Sequence, residues 1–273
     1  MVTNHRSLFP KFHNIVDEIL EMEMHLGLHS EVWECQENKG HANKIEEALE
    51  LHGIQYISTP RPNRRGGGTA ITLIKGSPFT LTKLDESCLS LDDSVQVCWG
   101  LLRSKLQTGP AKCIIVCAFY IPPASKKKTA LIDHISLNYF ILKSQYPDAA
   151  FICGGDKNDL NVRLLLDIDP ALRQIVNKPT YRQSTLDVLI TDLGHFYLEP
   201  VVRQPVQPDS PTSGAPSDHM IVFVQPNTNS NQPAPRTTIT RTVRPLPNNA
   251  ILSFGRWIQQ ESWEFVFNGV DNL

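Results

Sequence analysis

Four places in the sequence set oxygen-rich or imidazole side chains where a rigid platform is expected. They are Glu31 in SEVWE, Asp156 with Asn158 in GGDKND, Asp187 in STLDVLIT, and Asp218 with His219 in SDHMIVF. Each stands at the end of a short apolar run that reads as a strand, and strand ends hold side chains more firmly than loops do. Carboxylates combined with an amide suit a hard, oxygen-seeking cation such as Mg2+. An imidazole beside carboxylates suits proton transfer. Singly, each has a bland reading: a solvated Glu, an Asp capping a turn, an Asp paired with an arginine, an Asp opening a strand. What singles them out is their order along the chain, with Tyr120 and a Tyr-x-Pro-Pro strand exit in FYIPP between them. A calcium-loop reading of DKNDLN fails, because Leu160 stands where an oxygen ligand should be and no glycine follows.

The elements that must carry these residues can be read from periodicity. Phe12, Ile15, Val16, Ile19 and Leu20 recur at helical spacing, so 11–23 reads as an amphipathic helix. Met24, Leu26 and Leu28 then alternate as a strand running into Glu31. Residues 41–52 read as a second helix stopped by Gly53, and 55–59 as a strand leading into the loop RPNRRGGG. Three consecutive glycines cost too much backbone entropy for regular structure, so this loop is a tip or a tight approach. Strands follow at 69–74, 79–84, 95–102 and 113–120, the last apolar on both faces as a covered central strand would be. A helix is expected over 128–144, and a short buried strand over 149–153 that ends in Gly154-Gly155-Asp156. Further strands are expected at 186–191 and 220–224. Strands and helices in both halves imply a layered α/β sandwich. The eight histidines other than His219 show no metal-ligand spacing, and surface or cap positions are their default.

The 273 residues carry 26 Lys+Arg against 28 Asp+Glu, a net charge of −2, which excludes a uniformly basic nucleic-acid coat. Basic residues cluster locally instead: Arg61, Arg64 and Arg65 in one loop, and Lys126, Lys127 and Lys128 in another. Either cluster could be a solvated loop or a phosphate-facing patch. The longest unbroken apolar run, 113–121, is far short of the roughly 20 residues of a membrane-spanning helix. The charged first thirty residues are unlike a secretory signal. None of the six cysteines forms a CxxC pair, so free thiols in a reducing compartment are expected rather than zinc. After Pro226 the composition turns rich in Pro, Asn and Thr. The expected organisation is therefore a catalytic domain over 1–225, a basic linker over 226–250 and the start of a further segment over 251–273.

The ordered residues resemble the endonuclease/exonuclease/phosphatase superfamily, which includes DNase I and the apurinic/apyrimidinic endonucleases, over residues 4–226. Asn4 in NHRSL resembles its first-strand asparagine, Glu31 its metal-binding glutamate, and Tyr120 its active-site tyrosine. GGDKND resembles its GDxN motif, Asp187 its LD motif, and 217–219 its terminal SDH. RGGGTAI, the PT–LDVLITD stretch and RPLP are similar to the endonuclease domain of LINE-type (non-LTR) retrotransposon polyproteins. The resemblance implies a four-layered DNase I-like sandwich, with two mostly antiparallel sheets flanked by helices. It also implies Mg2+, or Mn2+, held by Asn4, Glu31 and Asp218. Tyr120, Asp156, Asn158, Asp187 and His219 would be catalytic: Asp156 to orient or deprotonate water, Asn158 to position it, and His219, oriented by Asp187, to donate to a phosphate oxygen. Only three residues precede Asn4, so the first strand is expected to be truncated or missing, leaving unpaired backbone and a slot in the core.

The function so implied is Mg2+-dependent nicking of duplex DNA to leave a 3′-hydroxyl. Arg61, Arg64, Arg65, Lys126 and Lys127 are candidate backbone contacts. A monomer is expected, with a reverse transcriptase downstream in a parent polyprotein and a nuclear location that follows from a genomic substrate. Two alternatives stand beside it: a superfamily phosphatase acting on inositol lipids or other small phosphodiesters, and a catalytically dead binding copy of the fold.

Overall fold

The computed structural model describes residues 1–33, 39–61, 66–85, 89, 95–106, 111–210 and 215–227. Arg64, Arg65 and the segments expected after Asn227 lie outside the described residues. Twelve strands and four α-helices run in the order β1 (Val2–Asn4), α1 (Phe12–Glu21), β2 (Leu26–Ser30), α2 (Lys39–Leu51), β3 (Ile54–Thr59), β4 (Thr69–Ile74), β5 (Phe79–Lys83), β6 (Gln96–Ser104), β7 (Cys113–Tyr120), α3 (Lys128–Gln145), β8 (Ala150–Asp156), α4 (Arg163–Leu166), β9 (Arg173–Gln174), β10 (Asp187–Thr191), β11 (Val201–Arg203) and β12 (Ile221–Phe223).

The strands form two six-stranded sheets, ordered β11-β12-β1-β2-β4-β3 and β5-β6-β7-β8-β10-β9. Pairing is antiparallel except for β1 with β2 and β7 with β8. The sheets bury their facing sides together: Val2, Leu28, Ile71 and Leu73 from the first pack with Cys98, Val116, Ala118, Ile152 and Leu189 from the second. On the outer side of the first sheet, Ile15, Val16 and Ile19 of α1 and Ile45 and Leu49 of α2 cover Ile54, Tyr56 and Ala70. On the outer side of the second, Leu131, Ile135, Tyr139 and Leu142 of α3 cover Trp99, Ile115, Phe119 and Phe151. This is helix–sheet–sheet–helix layering, and it explains why β7 is apolar on both faces.

The first strand is short, as expected of a truncated one, but it is not missing. β1 is only three residues long, yet it lies inside its sheet, parallel to β2 through Val2↔Leu28, Thr3↔His29 and Asn4↔Ser30, and antiparallel to β12 through Val2↔Val222. The Leu28 amide donates to the Met1 carbonyl at 2.9 Å. Three residues suffice because the neighbour β12 is equally short.

β8 also runs further than its pattern suggests. Gly154 and Gly155 sit inside the strand, not after it, because both sheets press on them. A Cβ on Gly155 would overlap the Phe119 carbonyl oxygen, and one on Gly154 would come within 2.8 Å of Leu28 Cδ1. The glycines let the backbone reach Asp156 through a space with no room for side chains.

Three histidines are core residues rather than the surface or cap residues expected. His5, His29 and His134 are buried. His5 Nε2 lies 2.7 Å from His29 Nδ1, and His29 Nε2 lies 2.8 Å from Thr72 Oγ1. Burial pushes both His5 and His29 well below the ordinary imidazole range, so the chain of rings is neutral.

Candidate active site

The register of the second sheet lines up three side chains across neighbouring strand ends. Tyr120 of β7 pairs with Asp156 of β8, and Asp156 pairs with Asp187 of β10. From the first sheet, β1 ends in Asn4, β2 leads into Glu31, and the residues before β12 deliver His219. The site is therefore the seam where the two sheets open. Ser30 Oγ closes that seam, donating to the Phe119 carbonyl at 3.0 Å and accepting from the Asp156 amide at 3.2 Å. Ser217 Oγ donates to the Asn4 carbonyl at 2.7 Å and accepts from the His219 amide at 3.1 Å.

Asp156 is the hub. Its Oδ2 accepts from Asn4 Nδ2 at 2.8 Å and from Asn158 Nδ2 at 2.9 Å, while its Oδ1 accepts from the Asn158 amide at 2.9 Å. Asn4 Nδ2 also donates to Glu31 Oε1 at 3.0 Å, and its Oδ1 accepts from the Arg6 amide at 3.1 Å, which fixes the orientation of the side-chain amide. His219 Nδ1 lies 2.8 Å from Asp187 Oδ2. Its Nε2 is 3.9 Å from Asp156 Oδ2, beyond hydrogen-bond length, and so keeps its proton for another oxygen. Thr180 Oγ1 accepts from the Leu186 and Asp187 amides at 3.0 and 2.9 Å and holds Asp187 in place.

The protonation states follow from this burial. Asp156 is raised to about 7, by burial first and then by the Asp187 carboxylate, with His219, Asn158 and Asn4 pulling the other way. For His219, burial opposes the charge, but the Asp187 hydrogen bond and the carboxylates of Asp187, Asp156 and Asp218 raise it to about 9. Burial, together with the Glu31 and Asp156 carboxylates, pushes the Tyr120 phenol far above its ordinary value, so it stays a neutral donor.

The rim is conformationally expensive. Arg6, Ser7, Glu31, Trp33 and Asn158 all have left-handed backbone, with φ of 48°, 87°, 52°, 60° and 44°. That conformation costs roughly 1–2 kcal/mol for each L-residue, and such outliers gather where packing and hydrogen bonds over-determine a site. Lys11 restrains the first of these turns: its buried ammonium donates to the carbonyls of His5, Arg6 and Ser7 at 2.6, 3.3 and 3.2 Å.

The remaining expected residues are spread around this centre. Asp218 is half-exposed and pairs with Arg6 Nη1 at 3.6 Å. Arg61 is half-buried, and its positive charge acts on Tyr120. Lys126 and Lys127 are exposed at the start of α3, while Lys128 is engaged with Asp159 at 2.5 Å. Lys157 folds back to donate to the Asn158 carbonyl at 3.1 Å instead of pointing into water. Residue types alone did not mark Ser30, Trp33, Thr180 and Ser217 as part of the site. Their only signal was adjacency to the motifs, as in SEVWE, PT and SDH.

The donor set fits a hard divalent cation. Glu31 brings its carboxylate to a seam that also holds the buried carboxylates of Asp156 and Asp187, whereas Asn4 turns its amide nitrogen to them and its oxygen to the Arg6 amide. Asp187 Oδ1 is buried with no hydrogen-bond partner among the described residues. Asp156, Asp187 and His219 place one ligand atom each within 4.8 Å of one another. The His219 nitrogen that faces Asp187 is already committed to it, which leaves carboxylate oxygens as the donors a cation could use.

No protein-family profile and no curated protein matches the chain. Solved structures do. The endonuclease domain of TRAS1, a telomere-specific non-LTR retrotransposon, is similar at 12% identity and a TM-score of 0.53, over 83% of this chain and 96% of that one. The AP endonuclease LMAP from Leishmania major is similar at 12% identity and 0.58, over 82% and 85%. An AP endonuclease from Archaeoglobus fulgidus is similar at 14% identity and 0.53, over 83% and 98%. At such identities what is shared is architecture: two packed six-stranded sheets flanked by helices, a DNase I-like fold.

Proposed function

We propose that the chain is a Mg2+-dependent phosphodiesterase that nicks duplex DNA and leaves a 3′-hydroxyl, as a retrotransposon-type endonuclease does. The observation that carries this reading is geometric: Asp156, held by Asn4 and Asn158, lies 3.9 Å from His219 Nε2, whose other ring nitrogen is held by Asp187. Burial raises Asp156, and against burial the neighbouring carboxylates raise His219. Near neutral pH the first can take a proton and the second can donate one. Asp156 accepts a proton from the attacking water, whose oxygen bonds to phosphorus as the P–O3′ bond breaks. His219 donates from Nε2 to a non-bridging phosphate oxygen, and Asp187 keeps the ring oriented through Nδ1. Tyr120, in its neutral form, hydrogen-bonds to the phosphate, and the departing O3′ takes a proton from solvent to become the 3′-hydroxyl. Asn4 and Asn158 hold Asp156 against rotation. Glu31 would hold a divalent cation, which would supply charge neutralisation at the phosphate.

The RGGGTAI, PT–LDVLITD and RPLP stretches support the retroelement reading over a phosphatase. Arg61, Lys126 and Lys127 serve as backbone contacts, which position a duplex without reading it. The test is conversion of supercoiled plasmid to open circles with Mg2+ or EDTA, comparing the chain with Asp156→Ala and His219→Ala. Mg2+-dependent nicking lost in both variants is expected. A folded chain that leaves the plasmid supercoiled would sink the endonuclease reading and favour a binding role.

A further inference from the structure

Glu31 receives a hydrogen bond on each carboxylate oxygen. Asn4 Nδ2 donates to its Oε1, and Trp33 donates its indole N–H to Oε2, both at 3.0 Å. The Trp33 bond is an unusual local arrangement, joining residues two apart that both have left-handed backbone. The chain bends this way because the glycine loop beside it demands it. The Trp33 amide donates to the Gly67 carbonyl at 2.8 Å and the Val32 amide to the Gly68 carbonyl at 3.4 Å. Gly66, Gly67 and Gly68 all have φ between 77° and 90°. Gln96, which pairs with Tyr120 across β6 and β7, braces the loop by accepting from the Gly68 amide at 2.7 Å, and a Cβ on Gly67 would overlap that same oxygen.

We infer that Trp33 is a positioning residue for the divalent cation: the glycine loop presents its indole N–H to Glu31 so that one carboxylate oxygen is held and the other is aimed into the seam. This rests on the metal-dependent reading of the site, but only on its metal-binding half. A carboxylate ion has about four acceptor positions, and a protein donor on each oxygen restricts its swing while leaving acceptor positions open for a cation. Fixing a ligand through an outer hydrogen bond typically changes metal affinity by 10–100-fold. The RGGG segment thus acts through Trp33 on the cation, apart from any role of its arginines on DNA.

The experiment is Mn2+ titration by calorimetry of the full chain and of Trp33→Phe, which keeps the ring and loses the N–H. The expected result is a 10–100-fold weaker Mn2+ affinity, with a matching rise in the Mg2+ concentration needed for half-maximal nicking and a kcat at saturating Mg2+ within about threefold of the parent. Unchanged Mn2+ affinity in folded Trp33→Phe overturns the inference. So does a lower kcat with no change in metal affinity. If Trp33→Phe does not fold, the parent chain decides: one of the four tryptophan indole N–H resonances should move with Mg2+, and none moving overturns the inference. A parent chain that binds Mn2+ without nicking fails the endonuclease reading alone.

Discussion

Asn4 Nδ2 and Asp156 Oδ2 meet at 2.8 Å, joining the last residue of β1 in one sheet to the last residue of β8 in the other. The bond spans 152 positions of sequence and is buried, so it is both a tie between sheets and a restraint on the proposed base. Removing it takes away one of the influences that keep Asp156 from rising further. Asn4→Ala should therefore move the acidic limb of the pH–rate profile upward and lower nicking by about 10–100-fold. It should also cost roughly 1–3 kcal/mol in urea unfolding, since a buried acceptor loses its donor.

Asp187→Asn should return His219 toward its ordinary range, a fall of about 1–3 units readable by NMR titration of the imidazole. The effect on stability has a definite sign. A histidine raised to about 9 contributes stability that is fully present below its ordinary value of 6.5 and is lost as pH climbs through about 9. The stability difference between parent and variant should be widest at acid to neutral pH and should close above about 9. A gap that grows with pH would contradict the assignment.

Lys11→Met should strand the buried His5 carbonyl and the part-buried carbonyls of Arg6 and Ser7. A destabilisation of about 1–3 kcal/mol is expected from denaturant curves. Because the same turn places the Arg6 amide on Asn4 Oδ1, nicking should fall even at temperatures where the variant is fully folded.

Gly155→Ala should be among the most damaging single changes. Its new methyl carbon would overlap the Phe119 carbonyl oxygen inside a paired strand, where neither partner can retreat. Loss of soluble protein, or more than about 4 kcal/mol of stability, is the expected outcome in an expression and melting comparison.

Lys126 and Lys127 are exposed at the head of α3, whereas Lys128 is already paired with Asp159. If the first two lie on DNA phosphates, the double alanine variant should flatten the slope of log affinity against log salt by about 2 without changing sequence preference. Lys128→Ala should leave the slope nearly as it is.

Much of the layering was legible in the sequence because covered strands and amphipathic helices write their burial as a pattern. The run 113–120 coincides with β7, and Phe12, Ile15, Val16 and Ile19 are the buried face of α1. The misreadings share a cause, which is that the deciding partner lies far away in sequence. Gly154 and Gly155 look like strand breakers until Phe119 and Leu28 press on them. His5 and His29 look like surface residues until they meet each other and Thr72. β9 and β11, of two and three residues, are too short to show any period. In the site, the motif residues could be recognised by type and order. Ser30, Ser217, Thr180 and Trp33 act through backbone groups or a neighbouring carboxylate, and residue type does not announce that.

Among the described residues the last strand, β12, pairs with the first, β1, and the turn leading into it carries His219. A chain emerging from the ribosome would expose Asn4, Glu31, Tyr120 and Asp156 long before Ile221 is free to take its place beside Val2. Until then His219 has no fixed position against Asp187, and the sheet that holds Asn4 has an open side. The topology therefore times the site by synthesis: His219 reaches Asp187 only after β12 has been laid beside β1.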